Sequence, residues 1–259
     1  MVERKARVIK RRRGRSLRRL RFRLDFSRFR QGFNNREIMD ISIAWLVLSV
    51  AFAYALYVDF SGTDIVSILG GLSFVYLLIG SMIAIACGFI MHELMHKFDA
   101  QRYGYEAHFR MWVFGLVIAM ITSLFGFIYA APGATYFEPD PNEMYTDPNG
   151  FRKRYGTISF AGPKINMIFG AIFLGLFYLA LFIAVNLGVE LYSVFPLLII
   201  LAIPALINFY LCAFNLIPIM PLDGAKVFRW NKKVWATFFI ISAAISLMMF
   251  LGKVPYFPI

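Results

Sequence analysis

The amino-acid sequence predicts an all-α, polytopic membrane protein, and two observations lead to that fold class. First, 59% of the 259 residues are hydrophobic and only 16% are charged, which is far from the composition of a soluble globular chain. Second, long stretches without charge recur along the sequence. Cys87 and Cys212 both fall in apolar stretches and indicate neither a disulfide framework nor a paired-cysteine zinc motif, so we interpret them as buried small side chains.

About five stretches are predicted to be transmembrane helices, and a sixth is predicted to be re-entrant. The predicted spans are residues 38–58, 72–91, 157–187, 194–219 and 234–251. Residues 111–130 are also apolar, but Gly115 and Gly126 interrupt them. A polar loop rich in Asp, Pro and Asn is expected at residues 137–154.

The first 36 residues differ in composition from the rest of the chain. They hold 15 of its 27 Lys and Arg residues, with leucine and phenylalanine interleaved. The sequence therefore divides into a basic tail at residues 1–36, cytoplasmic or interfacial, and a membrane-embedded domain at residues 37–259. Such a tail suits anionic lipid headgroups or RNA, and we favour lipid over nucleic acid.

An H-E-x-x-H sequence ends the second apolar stretch. On a helix, His92 and His96 are four residues apart and share one face, where both imidazoles can bind a zinc ion. Glu93 lies one step round the helix, suited to accept a proton from a water molecule at such an ion. Ionisable groups are costly inside a membrane and are seldom without a function there, so we interpret the three residues as an intramembrane metal site.

A second informative segment runs from Asn215 to Gly224. Pro218 and Pro221 cannot both sit in a regular helix, and irregular backbone at membrane depth is tolerated only where it is buried or lines a wet cavity. Asp223 follows this break and could complete the ligands of His92 and His96, or could simply start a cytoplasmic turn.

Two asparagines lie in apolar segments, where an amide needs hydrogen-bond partners. Asn166 and Asn215 could each bind the backbone of a substrate or stabilise an oxyanion. Alternatively, they tie two helices together.

These segments together resemble the site-2 protease family of intramembrane zinc metalloproteases, peptidase family M50. The residues that carry the resemblance are His92 to His96, then Ala161-Gly162-Pro163 with Asn166, then Asn215 to Gly224. The resemblance covers residues 83–230 and implies His92, His96 and Asp223 as Zn²⁺ ligands, with Glu93 as general base. It also places Asn215 near the substrate. Lys164 departs from the family pattern, which usually has an aliphatic residue there.

The distribution of charge predicts the topology. If the basic tail is cytoplasmic and residues 111–130 turn back, then Asp223 returns to the same side as the histidines. The same choice leaves most of the loop Lys and Arg residues on the cytoplasmic side. We therefore expect a multi-pass protein of the cell membrane with a cytoplasmic N-terminus.

The function expected from this resemblance is intramembrane proteolysis, the hydrolysis of peptide bonds in or near the transmembrane segments of membrane-anchored proteins. Two alternatives stay open. A zinc hydrolase of lipid-like substrates would use the same ligands, whereas a non-catalytic scaffold that binds lipid or RNA would not need Glu93.

Overall fold

A computed structural model of the chain describes residues 32–61, 64–129 and 131–252. Within these residues, five helical segments are long and apolar enough to cross a membrane, which confirms the predicted fold class. The segments are Asn35–Phe60, Ile65–Arg102, Pro148–Asn186, Leu191–Asn215 and Lys232–Phe250. The predicted tail lies outside the described residues up to position 31, and its last two residues belong to the first helix.

Helix α1, Asn35–Phe60, begins at a defined cap. The side chain of Asn34 accepts a hydrogen bond of 2.8 Å from the backbone N–H of Glu37 and so satisfies one donor of the first turn. Glu37 and Asp40 are both buried, although they lie in an apolar helix. Such groups need partners in the protein, and the surroundings of Glu37 bear on the functional site.

The second membrane segment consists of several helical pieces in series. They are helix α2 at Asp64–Leu69, a 3₁₀ turn at Gly70–Leu72, helix α3 at Ser73–Ile85, a π-helical turn at Ala86–Ile90 and helix α4 at Met91–Arg102. The H-E-x-x-H residues therefore lie inside this segment, directly after the π turn. They do not end it as the sequence had indicated. Single π turns change the register of a helix and are frequent at functional sites.

A short antiparallel sheet holds the re-entrant element. Strand β1, Glu106–Met111, pairs with strand β2, Gly133–Glu138, and Met111 faces Gly133. Between them, helix α5, Val113–Ser123, has 11 residues. At 1.5 Å per residue it is about 16 Å long, roughly half of a bilayer core. The chain thus returns to the point where it left, which is the path that the re-entrant prediction for residues 111–130 requires. The strands themselves were not predicted.

Most of the described residues after β2 are helical. They form helix α6 at Glu143–Thr146, α7 at Pro148–Asn186, α8 at Leu191–Asn215, α9 at Asp223–Trp230 and α10 at Lys232–Phe250. The prediction of a polar loop at residues 137–154 was wrong in part. Helix α7 begins at Pro148, inside that loop and nine residues before the predicted start of the span at residue 157. Asp147 accepts from the N–H of Gly150, and Pro148 occupies the first turn, where a missing N–H costs nothing.

Helix α8 lies at the centre of the bundle. It packs along α7 on one side, against α3 on another and against α10 on a third. One buried cluster joins α3 and α8 through Leu77, Ala84, Ile199 and Ile203. Because α8 ends at Asn215 and Leu216 is fully buried, the irregular segment that follows begins in the interior of the bundle.

Candidate metal centre

Three side chains from two segments that are distant in sequence converge within this bundle. The Nε2 atoms of His92 and His96 lie 3.2 Å and 3.0 Å from the same oxygen, Oδ2 of Asp223. One donor atom from each residue falls within 4.8 Å of the others. Both histidines are buried, at 4% and 7% exposure. The structure thus brings together the three residues that the sequence had indicated as ligands.

The other nitrogen of each imidazole fixes its tautomer. Nδ1 of His92 lies 2.6 Å from Oδ1 of Asn166, and Nδ1 of His96 lies 2.8 Å from the backbone oxygen of Ile158. The Asn166 amide is oriented by its own bonds, since its Nδ2 donates to the Gly88 oxygen at 2.9 Å. Both partners can only accept, so each Nδ1 must donate. Nε2 of each ring is therefore the nitrogen that can offer a lone pair to a cation at the centre.

The donor set fits a metal ion. Two imidazole lone pairs and a carboxylate oxygen are three acceptors, and they can lie this close in a buried site only if a cation or protons join them. Two histidines with one carboxylate match the three protein ligands of a catalytic zinc site, which keeps a fourth position for substrate or water. Partners on Nδ1 are typical of metal-binding histidines, because they hold the ring in place.

Asp223 reaches the two histidines because helix α8 ends at Asn215 and an irregular segment follows. Residues 216–222 form tight turns, with bonds from Ile219 N to Ile217 O at 2.8 Å and from Leu222 N to Ile219 O at 2.9 Å. Asp223 then opens helix α9. Burial alone would raise the pKa of this carboxyl, but the neighbouring His96 and His92 side chains hold its pKa below the usual range.

Glu93 lies against strand β2. Its Oε2 accepts a hydrogen bond of 2.7 Å from the backbone N–H of Thr135, and the Thr135 hydroxyl donates to the Glu93 carbonyl at 2.9 Å. The N–H of Thr135 points away from β1, so this bond uses the outward edge of the sheet. The re-entrant hairpin therefore fixes the rotamer of the glutamate beside the two histidines.

A second glutamate holds the other edge of the hairpin, and the sequence analysis missed it. Oε1 of Glu37 accepts from the backbone N–H of Phe109 at 2.9 Å, and its Oε2 lies 2.6 Å from Nζ of Lys97. The Glu37 and Lys97 side chains are 0% and 1% exposed. Phe109 faces Thr135 across the sheet. Two carboxylates thus bind the two edges of the hairpin at one register position, and Lys97 directly follows His96. An acid in the first turn of an apolar helix was the signal that could have revealed this pair.

A cavity of about 420 Å³ opens onto the centre. His92, Glu93, His96 and Asp223 line it together with residues 133–136 of β2, Asn215 and Lys226. Asn215 lines the cavity while its Nδ2 donates to the Leu211 carbonyl oxygen at 3.0 Å, and its contact with a substrate stays a prediction. Asn166 is not among the described residues that line the cavity, because it is fully buried behind His92. The structure thus corrects its predicted substrate-binding position: Asn166 orients a histidine and ties α7 to α8 through Asn208.

Comparisons with known proteins agree with this geometry. A protein of Methanocaldococcus jannaschii named "Putative zinc metalloprotease" is 36% identical over 205 residues, which cover 79% of this chain and 89% of the relative. The chain belongs to this zinc metalloprotease family. No family-wide sequence profile matches the metalloprotease, and no solved structure matches it.

The metalloprotease is a multi-pass membrane protein, and part of its candidate centre belongs to a candidate membrane span. His92 and His96 belong to Ile65–Arg102, one of the five candidate spans, and Asp223 follows the end of another. The chain is therefore a membrane zinc protease. Its helical bundle is built around the residues suited to bind the metal.

Proposed function

We propose that this metalloprotease is an intramembrane endopeptidase of the site-2 protease type, peptidase family M50, which hydrolyses peptide bonds in or near the transmembrane segments of membrane-anchored proteins. The observation that carries the proposal is the position of the histidines. His92 and His96 lie inside a candidate span rather than on a domain beyond it, and the cavity that reaches them is lined largely by apolar side chains.

The ligands we assign are His92, His96 and Asp223, and zinc is the metal that their chemistry fits best. When bound, zinc polarises the scissile carbonyl and makes a water molecule a stronger nucleophile at neutral pH. Asn166 and the Ile158 carbonyl hold the two imidazoles in the required tautomer.

Glu93 is the proton carrier in this proposal. Its carboxylate accepts a proton as the water oxygen bonds to the carbonyl carbon, and passes that proton to the amide nitrogen as the C–N bond breaks. The bond from Thr135 N–H occupies Oε2 and leaves Oε1 for the water. The products are a new carboxylate and a new amine.

The substrate must be extended at the bond that is cut, because a helical peptide bond is shielded by its neighbours. The outward edge of β2 passes beside Glu93, and residues 133–136 line the cavity. Extended chains bind such edges through backbone hydrogen bonds. The Asn215 side chain, on the opposite segment of the cavity, offers an amide to the same backbone.

Location and the tail belong to the same proposal. We place the protein in the cell membrane with its N-terminus in the cytoplasm, since most loop Lys and Arg residues then lie inside. The basic tail at residues 1–36 is assigned to anionic lipid headgroups.

The test is cleavage of a reporter span by purified protein. A single-span substrate library in lipid nanodiscs is incubated with the unaltered protein and with Glu93→Gln, which keeps the shape of the side chain but cannot carry the proton. We expect cleavage by the unaltered protein alone, and equal zinc content in both. Equal cleavage by both proteins would overturn the role of Glu93, and cleavage of lipids in place of peptides would overturn the substrate class.

A further inference from the structure

The cavity contains a cation that the proposed mechanism does not use. Among the described residues that line it, Lys226 carries the single Lys or Arg charge. It lies one turn after Asp223 on helix α9, and 19% of its side chain is exposed. An ammonium group in a largely apolar cavity beside a metal centre is costly unless it has a partner or a role.

The contacts of Lys226 fix the position of its ammonium group but do not use all of its hydrogen-bond donors. Nζ lies 3.3 Å from the Pro221 carbonyl oxygen and 3.6 Å from Oδ1 of Asp223, while the Tyr155 ring is 5.8 Å away. The distance to Asp223 is too long for a good hydrogen bond, so that contact is ionic. Of the three N–H donors, one is taken by Pro221, which leaves donors for a group inside the cavity.

We propose that Lys226 is a further catalytic residue, whose ammonium donates a hydrogen bond to the oxygen of the scissile carbonyl. This inference rests on the proposed function. When the water oxygen bonds to the carbonyl carbon, the π electron pair moves to the carbonyl oxygen, which becomes an oxyanion until the C–N bond breaks and the pair returns. A fixed donor aimed at that oxygen stabilises the transition state more than the bound substrate.

Lys226 could have two simpler roles, which are to balance the charge of Asp223 or to bind an acidic side chain of the substrate. The geometry favours the role of oxyanion donor over both. Oδ2 of Asp223 is shared by the histidines, so Lys226 approaches the same carboxylate from its other oxygen, and both side chains line the cavity that a substrate would enter. If Lys226 served only to balance the charge of Asp223, its replacement would change zinc binding. If it recognised an acidic side chain of the substrate, its replacement would weaken the binding of uncleaved substrate.

The experiment compares Lys226→Met and Lys226→Arg with Lys233→Met, a control at an exposed position in the first turn of α10. Four quantities are measured on the full chain in nanodiscs: zinc content, kcat/KM for a cleaved span, Ki of a phosphinic peptide of the same sequence, and Kd of that span in the non-cleaving Glu93→Gln background. The phosphinic group is tetrahedral and anionic, so it reports on the oxyanion without cleavage.

For Lys226→Met we expect kcat/KM and the affinity for the phosphinic peptide to fall together by about 100-fold, as on removal of one oxyanion donor. Zinc content and the Kd of the uncleaved span should stay unchanged, and Lys226→Arg should recover most of the loss. An unchanged kcat/KM, a lost zinc ion, or a Kd that weakens in parallel would each overturn the inference while Glu93-dependent cleavage stands. Absence of cleavage by the unaltered protein would overturn the proposed function, and this inference with it.

Discussion

Gly162 and His92 are in such close contact that no side chain fits between them. A Cβ atom built on Gly162 would lie 2.5 Å from Nε2 of His92 and 2.6 Å from two carbons of the ring. The contact joins helix α7 to helix α4 at the nitrogen that faces Asp223. The His92 imidazole can therefore occupy its position only because residue 162 is glycine and has no side chain.

Gly162→Ala should consequently displace the His92 ring. We expect the affinity for zinc to fall by about 10- to 100-fold, as for other changes in the residues that orient a ligand. Gly175→Ala is the matched control, because it lies on the same helix with nothing within 4 Å of the added Cβ. Competition with a chelator gives both affinities. Equal affinities in the two variants would contradict the account of this contact.

The assignment of the ligands makes a separate prediction. His92→Ala, His96→Ala and Asp223→Ala should each purify with far less than one zinc per chain, because a three-ligand site loses most of its affinity with any one ligand. Asp99→Ala removes an acid on the same helix that pairs with Arg102 at 3.1 Å, and it should keep its zinc. Mass spectrometry of the metal content provides the measurement. Stoichiometric zinc in the Asp223→Ala protein would exclude that carboxylate as a ligand.

The buried pair of Glu37 and Lys97 should be important for stability. Lys97→Met leaves an unpaired carboxylate that is 0% exposed, and the free energy of unfolding should fall by about 3–5 kcal/mol. Adding Glu37→Gln should restore part of this loss, because the amide oxygen can still accept from Phe109. Arg102→Met, at an exposed pair, should cost less than about 1 kcal/mol. Unfolding by SDS titration in mixed micelles measures all three, and a Lys97→Met loss no larger than that of Arg102→Met would argue against a structural role for the pair.

The topology can be tested at the two ends of helix α7. Asn149 and Glu190 are exposed and lie just inside and just beyond the ends of this 39-residue helix. In a background with Cys87 and Cys212 replaced by alanine, a cysteine at position 149 should be labelled only from the cytoplasmic side, and one at position 190 only from the outside. Labelling of position 149 from outside, in protein that still cleaves, would show that the proposed orientation is inverted.

Much of the centre could be predicted because its signals are local or compositional. His92 and His96 are four residues apart, so helical periodicity places them on one face of a helix. Pro218 and Pro221 predict the end of the regular helix before Asp223. Span positions were right to within a few residues where charge or proline ends the apolar stretch, as at Asn215.

What could not be predicted depends on contacts between distant residues. Asn166 and His92 are 74 positions apart, and Glu37 and Phe109 are 72 apart, so nothing near either residue indicates the bond. The strands are a different case. Residues 106–111 alternate between polar and apolar, a pattern typical of a strand, but six residues beside a long apolar stretch are easily read as part of a loop.

Cleavage of a reporter span in water enriched in ¹⁸O tests the central claim most directly. Mass spectrometry of the products locates the bond that is cut and shows whether the oxygen in the new carboxylate comes from water. The account predicts a cut in or near the membrane segment and one ¹⁸O atom in the new C-terminal carboxylate. With Glu93→Gln it predicts no cleavage products. A cut confined to a soluble domain remote from the membrane, or labelled product of equal yield from Glu93→Gln, would contradict it.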